Sequence, residues 1–205
     1  FGGYVAEQTD YHHGEQSLAS TIVGLAQDYV GSNNINLLEP SGQFGTRLGG
    51  KGPGSANEGI GKDFASSRYI FTRMCDMTPY LFNSLDKPLY KYIKSDKMFI
   101  EPEYFVPILP IILVNGSEGI GTGYSTTLPA YNPLHLIENI KQLMDGLPLV
   151  KMVPWYHGFK GEIHSKTPNS YSCHGVYKVV SSNQIEITSA RSSPLSGPAA
   201  MRSKW

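Results

Sequence analysis

A helical repeat of apolar residues near the amino end, followed by turn-rich extended segments, most constrains how this chain can fold. Between Glu15 and Tyr29 apolar residues recur at the three- and four-residue spacing of an amphipathic helix, and Gly31 is placed to end it. The inward positions are predicted to be Leu18, Ile22, Leu25 and Tyr29. Segments 35–38 and 43–47 then read as short strands on either side of a Pro-Ser-Gly turn. A helix followed by such a hairpin is the outline of a winged helix.

The rest of the chain predicts further short elements. We expect a helix from Leu81 to Lys94 that Pro88 breaks, and buried extended chain from Val106 to Asn115. Asn132-Pro133 is an N-cap and first-turn proline for a helix that runs to Asp145, with Gly146 as its terminator. Its inward residues are predicted to be Leu136, Ile137, Ile140 and Met144. Antiparallel strands are predicted at 161–165, 171–180 and 184–188. The fold class is therefore mixed α/β (α+β).

Composition sets broad bounds on the kind of protein. With 205 residues, 40% of them hydrophobic, the chain can bury one good core or two small ones. It has neither the roughly 18 unbroken apolar residues of a membrane helix nor a basic-then-apolar amino-terminal signal, so we expect a soluble intracellular protein with no membrane partner. Phe1 in place of an initiator Met suggests a fragment. Cys75 and Cys173 are predicted to be free thiols.

Charge is balanced over the whole chain but unevenly distributed. Residues 1–40 hold five acids and no Lys or Arg, whereas residues 41–100 hold nine bases and five acids. Residues 101–150 hold one base and five acids, and residues 151–205 hold seven bases and two acids. Such alternation is often only solvated surface, so charge alone does not establish nucleic-acid binding.

Five sequence strings together resemble the DNA breakage-reunion region of the eukaryotic type IIA DNA topoisomerases. They are Tyr-His-His-Gly-Glu at 11–15, Gly-Ser-Asn-Asn-Ile-Asn-Leu-Leu at 31–38, Gly-Gln-Phe-Gly-Thr-Arg at 42–47, Ser-Ser-Arg-Tyr-Ile-Phe-Thr at 66–72 and Asn-Gly-Ser-Glu-Gly-Ile-Gly-Thr-Gly at 115–123. With two gaps, the resemblance extends from about Tyr4 to Thr188. A bacterial-type gyrase A protein would carry Tyr-His-Pro-His-Gly instead of the first string, and is disfavoured.

This resemblance implies a domain organisation. Residues 1–110 would form a winged-helix DNA-binding domain that carries the nucleophilic tyrosine, and residues 111–190 would begin a tower domain with antiparallel strands. Residues 191–205 depart from the family and are too poor in large apolar residues to build a core, so a disordered tail is expected. The interval between Arg47 and Tyr69 is also longer than in the family, through an insertion within 49–62.

Tyr69 is the predicted nucleophile by this resemblance. A phenol can attack a DNA phosphodiester and expel a sugar hydroxyl, which later reverses the reaction. Because a free phenol has a pKa near 10, the attack needs help, and the adjacent Arg68 is a permanent cation able to grip phosphate oxygens. Taken alone, the Arg-Tyr pair would more simply belong to a strand with alternating faces.

Four further residues receive roles from the resemblance. His13, at the amino end of the recognition helix, would contact the scissile phosphate, although adjacent histidines there are more often capping or packing residues. Ile120 would wedge between base pairs and help to bend DNA; the alternative is a core Ile in a tight turn. Arg47 and Lys62 would bind DNA. No metal ligands are assigned, since the histidines lack zinc-site spacing.

The resemblance implies an ATP-dependent type II topoisomerase, a nuclear homodimer that cleaves duplex DNA, passes a second duplex through the break and religates it. The Asp-x-Asp-x-Asp cluster with which the family holds Mg²⁺ is missing, as are an ATPase domain and a long heptad helix. Mg²⁺ and ATP would therefore bind outside this chain, which alone is expected to be inactive. The alternative is a non-catalytic DNA-binding winged-helix module from a truncated or decayed copy.

Overall fold

A computed structural model describes residues 1–47, 59–94, 98–167 and 170–189, with the side chain of Ile120 excepted. The expected tail at 191–205 and most of the inserted segment at 49–62 lie outside the described residues. The helices are α1 (Gly2–Gln8), α2 (Glu15–Ala26), α3 (Thr78–Leu81), α4 (Ile111–Asn115) and α5 (Pro133–Met144), with 3₁₀ turns at Ser67–Tyr69 and Ser84–Leu89.

All the described strands pair as antiparallel two-stranded ribbons. In chain order these are β1 (Tyr92–Lys94) with β2 (Phe99–Pro102), β3 (Ser117–Gly121) with β4 (Tyr124–Leu128), β5 (Glu162–Thr167) with β6 (Ser170–His174), and β7 (Val176–Ser181) with β8 (Gln184–Ser189). The mixed helix and antiparallel-strand class predicted from the sequence is confirmed. The strands predicted at 161–165 and 184–188 are confirmed to within two residues at their ends, but the single strand predicted at 171–180 is wrong: it divides at Gly175 into β6 and β7, which belong to different ribbons.

Helix α2 provides one wall of the amino-terminal core but is shorter than predicted. Its buried residues are Leu18, Val23 and Ala26, whereas the side chain of Leu25 is 40% exposed. Val23 and Ala26 pack with Leu38 and Phe44, and Ile22, Phe64 and Ile70 border this cluster. The helix ends at Ala26 because Gln27 turns to extended backbone and the amide of Asn33 donates to the carbonyls of Gly24 and Gln27.

The hairpin predicted between 35–38 and 43–47 is wrong. Residues 37–41 instead pair with residues 71–75, through bridges that join Leu38 to Met74 and Ser41 to Phe71. The pairing is antiparallel and includes mutual hydrogen bonds of 3.1 and 2.9 Å between Ser41 and Phe71. A sequence pattern can show that a segment is extended but not which segment it pairs with. Here residues 37–41 pair with a segment about 30 residues away and not with the neighbouring residues 43–47.

Two further element predictions are wrong. Residues 81–94 do not form a broken helix: the Asn83 carboxamide accepts from the Leu85 N–H and starts a 3₁₀ turn, after which the chain enters β1. Residues 106–115 are not buried extended chain, because Pro110 starts the short helix α4 and Ile108 and Ile112 are exposed.

Helix α5 is confirmed at both ends. Asn132 accepts a hydrogen bond of 2.9 Å from the Leu134 N–H, and Gly146 follows the last turn with a φ of 71°. Leu136 is buried as predicted, but Met144 is 82% exposed. The other buried residue of the helix is Asn139. Its carboxamide makes hydrogen bonds of 2.9 and 2.8 Å with the backbone of Val150, which hold the segment after the helix against it.

The side chain of Asn34 links the amino-terminal core to the elements that follow residue 110. Its Nδ2 lies 2.8, 3.2 and 2.9 Å from the carbonyl oxygens of Val114, Tyr131 and Trp155, and its Oδ1 accepts from the His157 N–H at 2.8 Å. Next to it, the side chain of Asn115 makes two hydrogen bonds with the backbone of residue 35. One carboxamide therefore satisfies the backbone groups of three separate segments.

Segments 43–46 and 59–65 lie side by side. The Gly61 N–H donates to the Thr46 carbonyl at 2.9 Å, and the Asp63 carboxylate accepts from the backbone N–H and the hydroxyl of Thr46, both at 2.7 Å. A Cβ on Gly45, whose φ is 94°, would lie 2.7 Å from the Gly61 carbonyl oxygen. This close approach requires glycine.

Replacing Asn34 by alanine should lower the free energy of unfolding by roughly 2–4 kcal/mol, because several partly buried backbone groups lose their hydrogen-bond partners. Urea denaturation of the chain measures this, and the matched control is Asn183→Ala, at an exposed turn position. A loss no larger than that of the control would contradict the linking role of Asn34.

Asp63 should make the fold acid-sensitive in a defined pH range. Burial acts to raise the pKa of Asp63, but the hydrogen bonds from the side chain and backbone of Thr46 outweigh it, so the pKa lies below its usual value of 3.8. The stabilisation is complete above the usual pKa and is lost as the pH falls through the lowered one. Between about pH 5 and pH 2.5 the stability of Asp63→Asn should fall less steeply than that of the unmodified chain. Asp28→Asn, at an exposed carboxylate, should follow the unmodified chain; equal slopes in all three would contradict the assignment.

Candidate active site

Tyr69 lies on the 3₁₀ turn Ser67–Tyr69, with 67% of the residue exposed. The turn is closed by a 2.9 Å hydrogen bond from the Tyr69 N–H to the Ser66 carbonyl. The guanidinium carbon of Arg68 lies 4.9 Å from the centroid of the tyrosine ring, within cation–π range. The alternative in which Arg68 and Tyr69 belong to a strand is wrong, because extended backbone begins only at Ile70.

The residues that follow Tyr69 fix its backbone to the core. Ile70 packs against the buried cluster around α2. Its Cγ2 lies 3.0 Å from the place where a Cβ on Gly42 would be, so glycine is needed for this approach. Phe71 then pairs with Ser41. The phenol of Tyr69 is thus carried on the exposed side of an anchored segment, one residue before Ile70 packs against the buried cluster.

Two arginines lie close to Tyr69 in the sequence, and only one of them is already paired with a carboxylate among the described residues. Arg73 is engaged by Glu39: its guanidinium makes two hydrogen bonds of 2.6 and 2.9 Å to the carboxylate. The hydrogen bond from Arg73 lowers the pKa of Glu39 and the same pair raises the pKa of Arg73, so both remain charged. Arg68 has no ion-pair partner in the part of the chain that the structure describes. Its charge therefore remains open to an anion.

His13 is exposed and lies two residues before α2, whose N-cap is Gly14 with a φ of 97°. The predicted position at the amino end of this helix is confirmed. The His13 ring meets the edge of Tyr11 at a centroid distance of 5.5 Å and lies 4.9 Å from His12, which in turn bonds the Asp10 carbonyl through Nδ1. No hydrogen bond or ring contact joins His13 to Tyr69 among the described residues.

Ile120 lies in strand β3, where its backbone pairs with Ser125 of β4, next to the turn at Thr122-Gly123. The prediction of a position in a loop or tight turn is therefore wrong. Tyr124, the first residue after the turn, is exposed. The wedge role that the resemblance assigns to Ile120 stays a prediction.

Arg47 and Lys62, the two residues assigned to DNA binding, lie at the junction of segments 43–46 and 59–65. Lys62 is exposed and Arg47 is half-buried. Because the neighbouring Thr46 binds both Gly61 and Asp63, the backbones on which these two cations lie are held beside each other. The structure thus brings together Arg47 with Lys62 and Arg68 with Tyr69.

Larger clusters of metal-ligating side chains and membrane-spanning helices are both missing from the described segments. No three or more His, Cys, Asp or Glu side chains are arranged there to hold a metal ion. Within the same segments, no helix has the length and apolar character needed to cross a membrane. Neither Cys75 nor Cys173 forms a disulfide in the described segments.

Two structurally important residues, Asn34 and Ile70, received no role from the sequence alone. The only available signal for Asn34 was its place in the Gly-Ser-Asn-Asn-Ile-Asn string, which does not reveal that one amide reaches three distant carbonyls. The apolar character of Ile70 next to Tyr69 and Arg68 was visible. That it enters the core depends on the long-range pairing of residues 37–41 with residues 71–75.

Comparison with known proteins places the chain in a family. The family model for the A-type protein of DNA gyrase/topoisomerase IV matches residues 1–193. DNA topoisomerase 2 of Candida albicans is 51% identical over 186 residues, covering 91% of this chain and 12% of that protein. The mitochondrial DNA topoisomerase 2 of Dictyostelium discoideum is 52% identical over 187 residues, covering 91% of this chain and 14% of that protein.

A solved structure shows the same fold. The chain superposes on the Plasmodium falciparum topoisomerase II DNA-binding, cleavage and re-ligation domain with a TM-score of 0.84 and 46% identity, covering 93% of this chain and 25% of that one. The chain therefore spans only 12 to 14% of the length of the two curated relatives. Because the family model and these relatives match over nine-tenths of its length, the chain belongs to the DNA gyrase/topoisomerase IV A-type family and, within it, to the eukaryotic-type DNA topoisomerases II.

Proposed function

We propose that this chain is part of the DNA breakage-reunion core of a type II DNA topoisomerase and supplies the tyrosine that becomes covalently joined to DNA. The observation that carries the proposal is the exposed phenol of Tyr69 beside the guanidinium of Arg68, which no described carboxylate pairs, on a segment anchored to the core by Ile70. The names of the relatives support DNA as the substrate.

In the proposed step the Tyr69 oxygen attacks a DNA phosphorus atom. A phosphorus–oxygen bond to tyrosine forms, the bond to one deoxyribose oxygen breaks, and the phenol proton is lost while the departing oxygen gains one. The number of phosphodiester bonds is conserved, so the released hydroxyl can reverse the step without an external energy source. Arg68 would bind the non-bridging phosphate oxygens and stabilise their charge in the transition state.

The remaining site residues receive supporting roles. His13, exposed before the amino end of α2, would approach the same phosphate from the helix side, where the helix dipole also favours an anion. Because the described residues do not join it to Tyr69, DNA itself would bridge the two. Arg47 and Lys62 would contact the phosphate backbone beside the break.

Ile120 is proposed to act on DNA shape. It lies one pair from the end of the β3–β4 ribbon. Gly119, on one side of it, has open space that would let a base step approach closely, whereas the ring of Tyr124 lies over Gly121 on the other side. An apolar side chain inserted there would unstack the bases and bend the duplex, as in other architectural DNA-binding proteins.

The proposed complete enzyme needs parts that the described residues do not supply. The described residues hold no acidic cluster that fits Mg²⁺, so we assign magnesium, as well as ATP, to other regions and derive no step through them. Strand passage driven by ATP, a homodimer with two tyrosines and a nuclear location belong to this proposal. A relative named as mitochondrial makes an organelle the alternative location.

Tyr69→Phe should abolish covalent adducts while leaving non-covalent DNA binding nearly unchanged, because the phenol oxygen carries the bond and not the affinity. The measurement uses a chimera in which this chain replaces the matching segment of the Candida albicans enzyme, with adducts trapped by denaturant. Tyr80→Phe, at another exposed tyrosine, should retain adducts. Adducts in the Tyr69→Phe chimera would refute the assignment of Tyr69 as the nucleophile. Adduct formation or plasmid relaxation by the 205-residue chain alone would refute the proposal that cleavage depends on regions outside this chain.

Ile120→Ala should reduce DNA bending in the same chimera and leave its melting temperature almost unchanged. Energy transfer between dyes at the ends of a duplex of about 30 base pairs measures the bend, which depends on a side chain that holds one base step open. If Ile120 instead belongs to the core, the change should lower stability by roughly 2–5 kcal/mol and leave energy transfer unaltered. That second outcome would contradict the wedge.

A further inference from the structure

The β5–β6 ribbon, which carries none of the residues assigned to DNA cleavage, has two histidines on one face. Glu162 lies opposite His174 in the antiparallel register, and His164 lies opposite Ser172. Because side chains two residues apart on a strand share a face, these four side chains lie on one face of the ribbon, where the histidines are diagonal neighbours. Ser172 is buried beneath them. The side chains of His164 and Glu162 are 58% and 75% exposed, so an ion in solution can reach them.

The spacing of the two rings fits a shared ligand. The centroids of His164 and His174 are 5.2 Å apart, with an angle of 76° between the ring planes. Two imidazoles bound to one tetrahedral ion through metal–nitrogen bonds of about 2.0–2.1 Å have ring centroids roughly 5 Å apart. Edge-to-face ring packing gives a similar distance, so the hydrogen bonds of the rings must distinguish the two explanations.

Those hydrogen bonds leave the same nitrogen open on each ring. His164 Nε2 lies 2.9 Å from Glu162 Oε2, and His174 Nε2 lies 3.2 Å from Ser172 Oγ. Neither Nδ1 atom has a hydrogen-bond partner among the described residues. A carboxylate that holds one nitrogen of an imidazole orients the ring and increases the basicity of the other nitrogen, which is the usual arrangement behind metal-bound histidines.

We propose that Nδ1 of His164 and Nδ1 of His174 bind one divalent transition-metal ion of the zinc, nickel or copper class, with water in the remaining positions. Imidazole nitrogen favours these ions, whereas Mg²⁺ requires oxygen ligands. With two protein ligands the site is weaker than a structural zinc site. The ion would join β5 to β6, and the proposal does not depend on Tyr69 or on DNA cleavage.

Isothermal titration of ZnCl₂ into the untagged 205-residue chain tests the site. One ion should bind, His164→Gln and His174→Gln should each abolish this binding, and Glu162→Gln should weaken it by about tenfold. His135→Gln, at an exposed histidine on α5, is the matched control and should bind as the unmodified chain does, as should the unmodified chain in excess MgCl₂. Absence of binding, or binding that survives both His164→Gln and His174→Gln, would overturn the proposal.

Chemical modification of the unmodified chain tests the same site without depending on whether a variant folds. Zinc should protect His164 and His174, but not His135, from acylation by diethyl pyrocarbonate, as located by peptide mass spectrometry. Equal modification of all three with and without zinc would mean that the rings only pack against each other.

Discussion

The hydrogen bonds of the Asn34 carboxamide hold the amino-terminal core against the elements that follow residue 110. The carboxamide binds carbonyl groups at the end of α4, before α5 and before β5, and it accepts an N–H from His157. A carboxamide suits this position because it offers donors and an acceptor from one planar group. An apolar side chain of the same size would leave these backbone groups without partners. The β3–β4 ribbon with Ile120 and the segment with Tyr69 therefore keep their positions relative to each other partly through one side chain.

The environment of Tyr69 combines a fixed backbone with an exposed side chain. Ile70 is held in the core and Phe71 is paired with Ser41, so the residue before them has little freedom of backbone position. The phenol itself faces solvent, and Arg68 lies against its ring with no carboxylate of the described segments to neutralise it. A nucleophile on a rigid support, next to an open cation, is the arrangement that attack on a large anionic substrate requires. Arg73, in contrast to Arg68, forms an ion pair with Glu39.

Local sequence signals predicted part of the fold well. Asn132-Pro133 and Gly146 marked both ends of α5 because caps and terminators act through adjacent backbone. Pairing between distant segments could not be predicted in the same way: residues 37–41 met residues 71–75 instead of forming a local hairpin. The apolar run with Pro107 and Pro110 predicts extended chain, yet Pro110 is the N-cap of helix α4. For the site, residue types and motifs predict Tyr69, Arg68 and His13 as candidates, but only coordinates could show which of them touch.

The proposed esterification of the Tyr69 oxygen to DNA can be checked by identifying the residue that carries the DNA. A chimera that carries this chain can be trapped on radiolabelled duplex DNA, digested with nuclease and protease, and sequenced by mass spectrometry. A nucleotide should be attached to the tyrosine in the peptide that contains Tyr69. A nucleotide on another tyrosine, or on a serine such as Ser66 or Ser67, would contradict it.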